Sequence, residues 1–143
     1  MRTIGILSLG LVLSGLVIGS CGASEDNGDD LTIYAGRFSV VETFKDQNGS
    51  GCPPEQGPYE NGVEIKIKKN QFEADFDTRW GIMLGQIEEE GQFLAVDNLG
   101  QPDEELQLTG QFVDPNGFAG VIREVWQGCT RLTNLLGERV IQE

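Results

Sequence analysis

The stretch GVEIKIKKNQFEADFD, residues 62–77, decides the fold. Val63, Ile65 and Ile67 alternate with Glu64, Lys66 and Lys68; after Lys69-Asn70 the alternation resumes, with Phe72, Ala74 and Phe76 set against Glu73, Asp75 and Asp77. Successive side chains of a strand point to opposite faces, so a period of two on either side of a two-residue centre reads as a β-hairpin. With the turn at Lys69-Asn70, Ile67 opposes Phe72, Ile65 opposes Ala74 and Val63 opposes Phe76 on an apolar face. Lys66 then meets Glu73 on the other face, which is a ladder of charge.

The same rhythm continues on both sides. It predicts strands near 36–45 (Phe38, Val40, Phe44), 80–88, 92–97, 105–113 (Leu106, Leu108, Phe112) and 117–126 (Phe118, Ile122, Trp126), with NLGQPDE and DPNG as loops between them. The segment 129–141 reads as a last strand or as a strand with a short helix. Gly85, Gly110 and Gly120 fall inside strands, where glycine marks bends or bulges of a curved sheet. No segment from residue 21 onward shows a helical period. The expectation is an all-β domain, a single antiparallel up-and-down barrel of about eight strands that removes its edges by closing; a β-sandwich is the alternative.

Ahead of this domain, Met1-Arg2 and an apolar run over residues 4–18 form a secretory signal peptide, residues 1–20. The run is shorter than the roughly 20 residues that span a bilayer. It ends in Ile18-Gly19-Ser20-Cys21, which resembles the lipobox of bacterial lipoproteins. That resemblance implies that Cys21 is acylated, as with palmitate, becomes the new N-terminus and tethers the chain to a membrane. Gly22, where an aspartate would favour the inner membrane, implies the outer membrane of a bacterial cell envelope. Residues 21–31 are then the lipidated cysteine and a flexible acidic linker, and residues 32–143 the barrel domain.

Export also governs the other two cysteines, because an oxidising compartment favours a bond between Cys52 and Cys129. Connections of an eight-strand meander alternate between the two ends of the barrel. The first, holding Cys52, and the seventh, holding Cys129, therefore fall at the same end. YAGRF, residues 34–38, resembles the opening of lipocalin-like (calycin) barrels, with Phe38 where they carry tryptophan. The resemblance implies a basic residue near the end of the last strand packed over that ring, and Arg139 matches it. Small bacterial lipoproteins with one disulfide share the strand rhythm.

The chain carries 10 basic and 23 acidic residues, a net charge of −13, and no histidine. Such acidity disfavours nucleic acid, which requires a basic footprint. Without histidine there is no Ser-His or Cys-His nucleophile pair, and with both domain cysteines bonded only carboxylates remain for chemistry. Glu73, Asp75 and Asp77 on one strand face read as solvated acids, and Asp46-Gln47-Asn48-Gly49-Ser50-Gly51 as an ordinary loop that lacks the closing glutamate of a calcium site. No catalytic residue, metal site or cofactor is expected, and the chain does not read as an enzyme. Phe38, Phe72, Phe76, Trp80, Phe93, Phe112, Phe118 and Trp126 face inward, either filling a small barrel or lining a cavity for an apolar ligand. The leading expectation is a lipid-anchored binding module for a small apolar ligand or envelope component. The alternative is a protein-interaction module, such as an envelope accessory factor or protease inhibitor, with a filled core.

Overall fold

The computed structural model describes residues 30–54, 57–97 and 103–141. Cys21, the signal peptide and most of the linker lie outside them. Eight strands follow one another: β1 (Gly36–Asn48), β2 (Tyr59–Lys68), β3 (Gln71–Phe76), β4 (Ile82–Ile87), β5 (Gln92–Asp97), β6 (Glu105–Asp114), β7 (Gly117–Trp126) and β8 (Cys129–Arg139). Each pairs antiparallel with the next, and β8 pairs back onto β1, so the sheet is a closed up-and-down barrel. Closure excludes the sandwich.

The β2–β3 hairpin has the register expected from its pattern. Val63 lies opposite Phe76, Ile65 opposite Ala74 and Ile67 opposite Phe72, and Lys66 Nζ donates to Glu73 Oε1 at 2.8 Å on the outer face. Residues 129–139 are strand throughout, because β8 must pair on both sides, with β7 and with β1. The fourth strand starts later than its pattern suggested. Trp80 sits in the β3–β4 connection with φ 66, and Ile82 is the first strand residue.

Alternation along each strand delivers one continuous core. Val40, Val63, Ala74, Met83, Ala95 and Ile122 are fully shielded from solvent, and burying side chains of this kind stabilises by roughly 1.5–3 kcal/mol for each large one. Glycines complete the fit. Gly110 and Gly120 face each other across β6 and β7 at inward positions. A Cβ on Gly110 would enter the Phe93 ring, and one on Gly137 would enter Phe118.

The two ends differ. At one, a single 3-10 turn (Leu31–Tyr34), capped by Asp30, lays Tyr34 on Phe112 with ring centroids 4.6 Å apart. Arg139 lies 5.0 Å over the Phe38 ring and donates to the carbonyls of Ile33, Ala35 and Pro115. This clips the last strand to the segment that enters the first. At the other end Cys52 and Cys129 are bonded, with Cα atoms 4.9 Å apart.

Candidate functional site

Three regions bear on function: the aromatic interior, the barrel mouth at the disulfide end and a groove on the outer wall.

In the interior, Phe38, Phe72, Phe76, Phe93, Phe112 and Phe118 are all at most 4% exposed. Five of them form one network. Phe72 stacks on Phe93 at 4.7 Å, Phe93 meets Phe112 and Phe118 at 5.3 and 5.8 Å, and Phe38 reaches Phe112 and Phe118 at 5.8 and 5.4 Å. These spacings are those of rings in direct edge and face contact. Phe76 stands apart from the network, edge-on to Trp80 at 5.2 Å. Trp80 and Trp126 belong to the mouth, where each lies beneath an arginine: Arg79 is 4.5 Å from the Trp80 ring, and Arg131 is 5.2 Å from that of Trp126.

The mouth is built around Glu42, a carboxylate 2% exposed at an inward position of β1. Asn61 Nδ2 donates to it at 2.9 Å and Arg79 Nη1 at 3.2 Å, while Arg79 Nη2 reaches Glu124 Oε2 at 3.3 Å. A buried carboxylate persists only when paired and hydrogen-bonded, and here both conditions hold. The β3–β4 connection brings Arg79 over the opening, where its guanidinium joins two carboxylates and rests on Trp80. Arg131 donates to Gln47 Oε1 and to the Pro53 carbonyl from above. The cavity left between Glu42, Phe44, Tyr59, Arg79, Arg131 and Thr133 is about 10 Å³, about the room of one water. Trp80 Nε1 and Arg131 Nε are buried without a hydrogen-bond partner among the described residues.

A far larger concavity, about 1070 Å³, lies on the outer wall across β4 to β8 and β1. Its floor follows one row of paired residues: Gln86 opposite Leu94, then Thr109, Val121, Asn134 and Thr43. Leu94, Val96 and Leu136, each 43–61% exposed, stand in it, and Glu88 is the single charged residue of its lining. A partly aliphatic surface with one charge, on a chain of net charge −13, sets this wall apart from that of β2–β3. There Glu73 pairs with Lys66 and Asp77 with Arg37.

Two of the three acids weighed for chemistry on sequence grounds, Glu73 and Asp77, are thus drawn into outward ion pairs. Beside Asp77 the Arg37 guanidinium is held above its ordinary value, and beside Glu73 the Lys66 ammonium likewise, in each case first through the hydrogen bond to its partner. Among the described residues no group of three His, Cys, Asp or Glu side chains is placed to hold a metal ion. Sequence reasoning missed Glu42 and the outer groove. Glu42 shares the inward parity of Phe38, Val40 and Phe44, which is the signal that finds it.

One solved structure that aligns with the chain is described as the monomer form of the M. tuberculosis PknI sensor domain. The alignment covers 74% of this chain and 86% of that one, at 14% identity and a TM-score of 0.49. No family model matches the chain, and no curated protein is similar to it. At that score the likeness lends nothing to the reading of the site, which rests on geometry alone.

Proposed function

We propose that the chain is a lipid-tethered module of the bacterial envelope that binds other molecules through the outside of a filled barrel and performs no catalysis. The observation that carries this reading is the contrast between interior and wall. Rings in mutual contact occupy the inside, whereas the roomy concavity, uncharged but for Glu88, opens outward. Exposed apolar surface gathered in one place marks an interaction site more often than chance scatter does. Tethering is supported by the Ile18-Gly19-Ser20-Cys21 segment, and the lipocalin-like likeness by Arg139 resting on Phe38. Absence of histidine and the engagement of Glu42 with Arg79 and Asn61 support a non-catalytic role.

The test is made in the source organism with the full chain. A photo-crosslinking residue at Leu94 should yield a discrete adduct, and the same residue at Glu64 on the charged wall should not. Cys21→Ser should move the protein from the membrane to the soluble fraction. A small molecule released only on denaturation in native mass spectrometry, with no adduct from Leu94, would overturn the filled-barrel reading in favour of an interior apolar ligand. Retention of Cys21→Ser at the membrane would overturn the tether.

A further inference from the structure

We infer that the outer groove is a binding site for an extended peptide segment, at least about seven residues long, of a partner protein: apolar side chains alternating along an uncharged middle, and a basic residue at the end that meets Glu88. This rests on the reading that the module binds through its outer wall, and it names what is bound.

Length and path come first. From β4 through β8 to β1 the row crosses six strands, so its five spacings amount to about 24 Å. An extended chain advances about 3.3–3.6 Å per residue, so about seven residues is the least that follows the row, and a segment lying outside the side chains needs more. The row also follows the curvature of a closed wall. A straight helix cannot stay in contact along such a path, whereas an extended segment bends with it.

The lining then selects among extended occupants. Leu94, Val96, Val121 and Leu136 are interleaved with neutral hydrogen-bonding side chains, among them Gln86, Thr109, Gln111 and Asn134. Among the described residues none of these four makes a side-chain hydrogen bond, so their amides and hydroxyl are uncommitted. A peptide backbone presents N–H and C=O groups that match them, and its apolar side chains match the aliphatic positions. A hydrocarbon chain would strip water from the same four groups and return nothing, which is costly.

Backbone pairing is not available as a substitute. Every strand of the barrel is already paired on both sides, so no edge remains for strand addition, and recognition must pass through side chains. For the same reason a second copy has no free strand to lay in the groove. Charge fixes the direction. Glu88, just past the end of β4, is the charged residue of the lining and stands at the β4 end of the row, so a cation is favoured there and a second acid is not.

Panning random linear peptides on phage against the exported chain, residues 21–143 with Cys21→Ser, tests the inference, with clones that also bind the Leu136→Glu variant removed. Surviving peptides should alternate apolar residues, carry Lys or Arg and avoid acids. One of them, synthesised, should shift the amides of Thr109, Val121 and Asn134 and leave Glu64 and Lys66 unmoved. Leu136→Glu, and independently Leu94→Glu on the opposite flank, should weaken it at least tenfold. The inference is overturned if no clone survives the subtraction, or if bound peptides shift the mouth instead of the groove. It is also overturned if the groove amides move with palmitate or lysophosphatidylcholine but not with peptide, or on concentrating the protein alone. A protein crosslinked at Leu94 together with failed panning would sink the extended-peptide assignment alone; no crosslink from Leu94 would sink the outer-wall reading beneath it.

Discussion

Replacing Arg79 with alanine should damage the fold far more than its position on a connection suggests. The Glu42 side chain is 1% exposed, and its Oε2 lies 3.2 Å from Arg79 Nη1. Without the guanidinium, the carboxylate keeps Asn61 as a donor but loses its cation. Removing one partner of a buried pair typically costs about 3–5 kcal/mol. Arg79 is itself 33% exposed, so water can partly replace it, and about 2–3 kcal/mol is the expected loss. For a domain of this size that is a fall of about 10 °C in Tm. Urea unfolding of four proteins decides the matter: wild type, Arg79→Ala, Glu42→Met and the double variant. Glu42→Met removes the buried charge and nearly keeps its volume, so it should cost only about 1 kcal/mol. Adding Arg79→Ala to it should then cost less than about 1 kcal/mol, a coupling of about 1.5–2 kcal/mol between the two sites. An Arg79→Ala variant within about 0.5 kcal/mol of wild type, or one equally costly with and without Glu42, would refute the account.

Three further outcomes are expected. Cys52→Ser should lower stability by about 4 kcal/mol, since its bond to Cys129 spans a sequence separation of 77; thermal unfolding under reducing and oxidising conditions should show the difference in wild type and none in the variant. Gly110→Ala should cost about 1–3 kcal/mol through overpacking against Phe93, and Phe93→Leu should recover part of that loss, with chemical denaturation as the measure. Asp30 is held below the ordinary carboxylate range, first by the Thr32 hydroxyl and then by the Thr32 N–H. The stability its cap adds to the 3-10 turn is therefore present above about pH 3.9 and lost as pH falls through the lowered folded value. The Thr32 amide resonance should report that transition, and Asp30→Asn should abolish it.

The fold was legible because one face of most strands carries little besides apolar residues. In β2 and β3 every outward position but two is charged and every inward one from Val63 onward is apolar, so the period of two fixes the register as well as the strands. Pairing of Cys52 with Cys129 was expected of two domain cysteines in an oxidising compartment, and the parity of connections agrees with it. Trp80 misled because an aromatic next to Ile82 reads as strand, whereas tertiary contact with Phe76 and Arg79 holds it in a turn with φ 66. The mouth was less legible for a similar reason. Glu42 has the parity of the core, but its charge hides that until its partners, distant in sequence at Asn61 and Arg79, are seen beside it. The groove was least legible. In QFLAVD, residues 92–97, both faces of β5 are apolar, and a continuous apolar run does not say which of its members face water.

The clip at Arg139 also settles how the domain meets mechanical load. Phe38 and Arg139 are direct partners across the closing seam, and the guanidinium grips the carbonyls of Ile33 and Ala35, just ahead of the first strand. A pull arriving through the N-terminal segment is therefore shared at once with the final strand instead of peeling the first one away. The barrel resists at its seam, where an open sheet would unzip.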